Sequence, residues 1–185
     1  QFNPNVHLIY NGYDPSQFYA EDIPMDTFYI SYIGRIYEFQ STALVEQAVR
    51  ELNLPHVELN IHTPDCRPIP LNAVGDELRR SSMALVLTNP NAKGMMTTKF
   101  FEALGCEKPI LCTPSDNGLL TKTIRDTNAG LASSDMDEIK AFILEKYHEW
   151  QQNGFTRQAV INKEQFSRQQ QAQQFEQLFM QCSQR

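Results

Sequence analysis

Thr97-Thr98-Lys99-Phe100-Phe101-Glu102-Ala103-Leu104-Gly105, followed by Lys108-Pro109-Ile110-Leu111-Cys112, reads as a helix that leads directly into a buried strand. At about 3.6 residues per turn, Thr98, Lys99 and Glu102 share an arc of roughly 100°, while Phe100, Phe101 and Leu104 fall on the opposite side. One face is built to bury. The other places a hydroxyl, an ammonium and a carboxylate near the helix start, where free N–H groups and the helix dipole attract anions. A phosphate suits the first turn, and the carboxylate one turn further on suits ribose hydroxyls. The plainer reading is an amphipathic helix with a surface Lys99–Glu102 pair worth about 0.3 kcal/mol.

The same alternation extends upstream. Met83-Ala84-Leu85-Val86-Leu87 is a buried strand, and residues 88–94 form the loop after it. Val74 and Leu78 predict a short helix. Residues 63–72 hold three prolines and Cys66, a loop with a short edge strand at 69–71, since proline is tolerated at edges. Val57–His62 alternates as a strand. Leu44, Val45, Ala48, Val49 and Leu52 have helical spacing and stop near Asn53 and Pro55. Phe28–Ile33 is nearly continuous in apolar and aromatic residues, as a strand buried on both faces must be, and ends at Gly34. His7-Leu8-Ile9-Tyr10 predicts one more strand, closed by the Asn11-Gly12 turn.

Downstream, residues 114–118 read as a turn. Leu120 and Ile124 mark a helix that Asn128-Ala129-Gly130 stops. Ser134 or Asp135 caps the next helix, whose stripe is Ile139, Phe142, Ile143, Tyr147 and Trp150. The Gln-rich tail keeps Phe175, Leu178, Phe179 and Cys182 at i, i+3, i+4, i+7, which predicts a helix with a buried stripe. Strands alternating with helices define a doubly wound, Rossmann-like α/β parallel sheet covered on both faces, with a C-terminal helical extension. Ligands of such sheets sit beyond the carboxyl ends of the strands, here Gly34-Arg35, His62-Thr63, Thr88–Thr98 and Thr113–Gly118.

Composition narrows the chemistry. A net charge of −6 over 185 residues argues against nucleic acid, which needs a basic patch. Four cysteines without a C-x-x-C and four dispersed histidines predict neither a disulfide framework nor a metal site, and read as the reduced thiols of a cytoplasmic protein. No apolar run approaches the roughly 20 residues of a membrane span, and no signal peptide is recognisable. The first residue is Gln1, not Met, which reads as a piece of a longer protein.

Glycine at position 34 lets a ligand approach the backbone, and Arg35 can hold phosphate through its fork of donors. A tight turn with a solvated arginine is the alternative. The G-x-G-x-x-G fingerprint is missing after this strand, so neither NAD nor FAD is expected. Gly94-Met95-Met96-Thr97-Thr98 outlines an anion cradle but lacks the G-K-[ST] phosphate loop; a plain connection with Thr97 or Thr98 as N-cap accounts for it equally. Thr113–Gly118 either reaches the same pocket or is simply a turn. Asp65, Asp76 and Asp116 read as solvated loop or cap residues. No Ser-His-Asp or Cys-His constellation is present.

In their order and spacing, these segments resemble the C-terminal half of a two-Rossmann-domain (GT-B) glycosyltransferase of the family 4-like, group 1 type. Val6–Asp14 is similar to that family's interdomain V-I-x-N-G-x-D segment, and Tyr32-Ile33-Gly34-Arg35 to its glycine turn. Thr97–Leu104 with Lys108-Pro109-Ile110-Leu111 is similar to the donor-binding helix and the strand after it. Asn117-Gly118, Ala129-Gly130 and Phe166-Ser167-Arg168 fit the later blocks. Two positions depart. Gly94 stands where many members carry a glutamate, and Glu38-Phe39-Gln40 where many carry a lysine.

The resemblance implies a hexosyltransferase of polysaccharide biosynthesis that binds a nucleoside-diphosphate sugar, with no further cofactor. It implies a linker segment over residues 1–26, a nucleotide-sugar domain over 27–152, and an extension over 153–185 that packs toward an N-terminal acceptor domain of the same enzyme. Any peripheral association with a membrane would run through that other half. Arg35, Lys99 and Glu102 are the expected catalytic set. Gly34, Gly94, Met95, Met96, Thr97, Thr98, Lys99 and Glu102 are the expected substrate-binding set, with Glu102 on the ribose and the helix start on the diphosphate. A nucleotide-sugar epimerase of the same architecture and a non-catalytic interaction module that lost its donor site are the alternatives.

Overall fold

A computed structural model describes residues 6–91 and 93–183. Five parallel strands form one sheet in the order β2-β1-β3-β4-β5: β1 (Phe28–Ile33), β2 (Val57–His62), β3 (Met83–Leu87), β4 (Ile110–Thr113) and β5 (Gly130–Ala132). Helices α1 (Ala43–Leu52), α2 (Val74–Arg80), α3 (Thr98–Gly105), α4 (Leu119–Asp126) and α5 (Met136–Asn153) link or follow the strands, and α6 (Arg168–Ser183) ends the described chain. This is the doubly wound α/β class expected from the alternation.

Strand alternation divides the core between the two faces of the sheet. Met83, Leu85 and Leu87 of β3 join Phe28, Ile30 and Tyr32 of β1 against Val45 and Ala48 of α1 and Ile139, Ile143, Tyr147 and Trp150 of α5. Ala84 and Val86 face the other way, onto Leu78, Phe100, Phe101, Leu104, Leu120 and Ile124. The central strand β3 is buried at every residue, which is why it reads as an unbroken apolar run. Phe142 is only partly buried, at the margin of the α5 stripe. Asp135, not Ser134, caps α5: its carboxylate accepts from the N–H groups of Asp137 and Glu138.

Three sequence expectations are corrected, and one further strand is added. His7–Tyr10 forms no strand; the Tyr10 carbonyl accepts from the Gln171 amide, the Tyr10 ring packs on Phe166, a β-bridge follows only at Tyr13 to Ser167, and Val6 and Leu8 are exposed. Residues 69–71 form no edge strand either, because Pro68 and Pro70 lack the N–H groups a ladder needs, and a 3-10 turn begins at Leu71. The Asn128-Ala129-Gly130 stop doubles as the start of β5, where Gly130 at φ +148° runs so close to β4 that an added Cβ would meet the Ile110 carbonyl oxygen. Finally, the stripe on α6 is not buried: Phe175 and Phe179 are exposed, and no residue of that helix is fully buried. Among the described residues no helix is long and apolar enough to cross a membrane.

The topology sets where a ligand can sit. The chain leaves β1 toward β2 on one side and returns to β3 on the other, so the β1/β3 boundary is the switch point, and its carboxyl rim is the crevice. Gly34 ends β1 there, and the loop after β3 delivers the start of α3 to the same rim.

Candidate functional site

Gly34 adopts φ +130°, a conformation that side chains rarely tolerate, and its N–H donates to the His62 carbonyl at 2.8 Å. A Cβ added there would lie 2.7 Å from Lys99 Cε and 2.9 Å from its Nζ. The missing side chain is thus what lets the lysine stem lie over the turn. Lys99 Nζ also sits 5.3 Å from the centre of the Tyr32 ring, a cation–π distance. Tyr32 is held in turn by its hydroxyl, which donates to the Arg35 carbonyl at 2.6 Å, and burial pushes its pKa up to about 12.

The start of α3 is fixed as predicted. Thr97 is the N-cap, its hydroxyl oxygen accepting from the Lys99 N–H at 3.1 Å. Phe100, Phe101, Ala103 and Leu104 are fully buried, which locks the rotation of the helix and sends Thr98, Lys99 and Glu102 to its other side. Lys99 and Glu102 do not pair, however. Neither Nζ nor the carboxylate makes a hydrogen bond or an ion pair of 4 Å or less with any described residue. Burial lowers the pKa of Lys99 against the opposing pull of Glu102. Burial likewise raises that of Glu102, against the positive charges of Lys99 and Arg168. Two half-buried, opposite and unspent charges therefore stand one turn apart.

Hollows flank the Gly34–Lys99 contact on both sides. One, of about 310 Å³, is walled by Ile33, Gly34, His62, Thr63, Ile69 and Leu71. His62 is held rigid: Nδ1 lies 2.8 Å from the Arg67 carbonyl and Nε2 3.3 Å from Glu77. The second hollow, of about 350 Å³, lies between the turn after β1, the end of β3 and the start of α3. Met95, Met96, Thr97, Thr98 and Lys99 form one wall, as the sequence suggested, and Leu87, Thr88 and Asn89 form another.

Not every expected residue enters these walls. Arg35 is exposed, its guanidinium free of ion pairs among the described residues, and it lines neither hollow. Gly94 is exposed too, and a side chain added there would meet nothing within 4 Å. Glu102 lines neither hollow; it lies deeper along α3, on the side acted on by Lys99 and Arg168. Asp116, read as a solvated loop or cap residue, is a cap but not solvated: it is 1% exposed and lines the second hollow. Its carboxylate accepts from the N–H groups of Gly118, Leu120 and Thr121 and from the Thr121 hydroxyl, so it nucleates α4. Burial would raise its pKa, and those bonds outweigh it and hold the carboxyl below the ordinary value.

Sequence reasoning missed Tyr37, Phe39 and Gln40 as wall residues of the second hollow. The available signal was a pair of aromatics two apart in an otherwise polar turn, directly after the glycine. Gln40 shapes that turn: its amide donates to the Leu87 carbonyl at 2.7 Å and accepts from the Tyr37 N–H at 3.0 Å.

The sequence matches no family model and no curated protein. Among solved structures, the fold is similar to the C-terminal domain of a glycosyl transferase group 1 family protein, LpcC, from Francisella tularensis, at 14% identity and a TM-score of 0.53. The match covers 78% of this chain and 95% of that one. At this identity the likeness is one of architecture alone: the Rossmann-like α/β fold of that domain.

Proposed function

We propose that this chain is the donor-nucleotide domain of a glycosyltransferase, which binds a nucleoside-diphosphate sugar for transfer to an acceptor sugar or glycan and is inactive without an N-terminal acceptor domain. The observation that carries this reading is the Gly34–Lys99 contact at the switch point, with Lys99 and Glu102 both left unpaired. A diphosphate laid across that contact meets an unspent ammonium and the positive end of α3. Its nucleoside enters the hollow beside His62 and Thr63, whose walls mix apolar side chains with polar groups. Glu102, one turn beyond Lys99 on the same side of α3, accepts from the ribose hydroxyls where the ribose lies against the helix and outside the hollow. Arg35, one residue from the turn and free of partners, closes over the phosphates from the solvent side.

Chemistry in this reading is charge stabilisation. As the bond between the sugar's anomeric carbon and the diphosphate oxygen breaks, negative charge grows on the leaving diphosphate. Lys99, Arg35 and the N–H groups of α3 stabilise it without a proton transfer from this domain. The test is binding of uridine, guanosine, adenosine and thymidine diphosphates, by thermal shift and then calorimetry. One of them stabilises the chain, and Lys99→Ala and Glu102→Ala each weaken it by about 1–3 kcal/mol. Unchanged affinity in both variants removes the site. Silence from all four favours the interaction module, a reading for which the solvent-open Gly94, bare of a carboxylate, is the supporting observation.

A further inference from the structure

The turn after β1 leaves two large rings in water. Tyr37 and Phe39 are 51% and 52% exposed, and their rings stack with centroids 5.5 Å apart and planes within 3°. Neither is needed by the core, and Gln40 fixes the turn that presents them. They form an edge of the 350 Å³ hollow whose other wall carries Lys99. An aromatic pair held open at the lip of a mainly apolar hollow that carries a few polar groups is a surface on which a flat or ring-shaped ligand gains contact at little ordering cost.

What else lines the hollow narrows that ligand. Several polar groups are already committed: the Thr88 hydroxyl donates to the Pro114 carbonyl, and the Asp116 carboxylate caps α4. Asn89 Oδ1 accepts from the Asn91 N–H, which leaves its amide hydrogens free. The Thr98 hydroxyl is uncommitted, and that of Thr97 keeps its hydrogen. The free groups are thus neutral donors and hydroxyls, apart from Lys99 at the wall shared with Gly34. Hydroxyl groups on a ring match such a set, and apolar C–H faces match the aromatic lip. A second carboxylate would meet the Asp116 charge.

We infer that this hollow receives the glycosyl half of the donor, with the Tyr37–Phe39 pair as its stacking surface, and that it selects an uncharged sugar over a uronic acid. The inference rests on the donor reading above. With the nucleoside on the His62 side and the diphosphate across Gly34 and Lys99, whatever is attached to the second phosphate points into the hollow.

Calorimetry on the full chain compares each nucleoside diphosphate with its glucose conjugate, and UDP-glucose with UDP-glucuronate where uridine is the base that binds. The parent binds the glucose conjugate more tightly than the bare diphosphate. Tyr37→Ala, Phe39→Ala and the still apolar Phe39→Leu each weaken the conjugate by about threefold to tenfold and leave the diphosphate unchanged. Both side chains are exposed, so these variants keep the fold. Equal loss for conjugate and bare diphosphate places the nucleoside on the rings and overturns the inference. So does no loss for the conjugate, or equal affinity of the parent for conjugate and diphosphate. Preference for the glucuronate overturns its charge selectivity. Failure of the parent to bind any diphosphate is a different outcome: it removes the donor reading itself, and this inference with it.

Discussion

Lys108 is the buried charge whose removal gives the sharpest reading of this fold. It lies between α3 and β4 at 2% exposure. The nearby carboxylates are taken by other cations: Asp22 and Glu107 by Arg157, and Glu149 by Lys146. Burial pushes its pKa down from 10.5 to about 8, against the opposite-signed pull of Cys106, Asp22 and Glu149. At about 1.4 kcal/mol per pH unit, that interval corresponds to roughly 3 kcal/mol of destabilisation carried by the protonated folded state. Below pH 8 both folded and unfolded chains hold the proton, so the full cost is present. Between pH 8 and 10.5 the folded chain sheds it while the unfolded chain keeps it, and stability rises with pH. Above 10.5 the cost is gone. Lys108→Met, similar in length and without charge, therefore gains about 3 kcal/mol at pH 7 and nothing by pH 10.5. Urea unfolding of parent and variant, followed through the buried Trp150, measures that difference at pH 7, 8, 9 and 10.5. Titrations common to both proteins cancel. A difference independent of pH, or a less stable variant at pH 7, refutes the reasoning.

Two further outcomes follow from the site. Gly34→Ala places a Cβ against Lys99 and strains the backbone by about 1–3 kcal/mol; in a Lys99→Ala background the steric part vanishes, so the two stability losses are less than additive in urea unfolding. Strict additivity would show that the lysine does not lie over the turn. Glu102→Gln removes a carboxylate whose pKa burial raises, so the variant is more stable than the parent at pH 7, and the gap closes as pH falls through the raised value toward 4.5. Diphosphate affinity falls in the same variant, and a Glu102→Gln chain less stable than the parent at pH 7 contradicts the account.

The elements with a complete local signal were legible in the sequence. Strand β3 is apolar at all five positions, and α3 separates its aromatic and polar residues by helical spacing. Asn53 closes α1 in the left-handed conformation that asparagine tolerates. Elements that exist only through a neighbour were not legible. Three residues of β5 carry no period, and their strand character comes from pairing with Ile110–Cys112. In α6 the spacing shows an apolar stripe but cannot say what meets it. The site divides along the same line. The glycine turn and the helix tip were readable, because each is a local device, whereas their contact across 65 residues was not. Nor was the role of Asp116, which becomes a wall of the hollow only once α4 folds around its carboxylate.

The bridge between Tyr13 and Ser167 has a mechanical consequence. Tyr13 donates its N–H to Phe166 and its carbonyl accepts from Arg168, while Phe166 rests on the rings of Phe100 and Phe101. The segment before β1 and the start of α6 are thereby latched onto the buried side of α3, and Arg168, the first residue beyond the latch, is one of the two cations whose charge acts on Glu102. Any load that swings the tail helix pivots near this point, so leverage applied far from the crevice arrives at the carboxylate on α3 behind it.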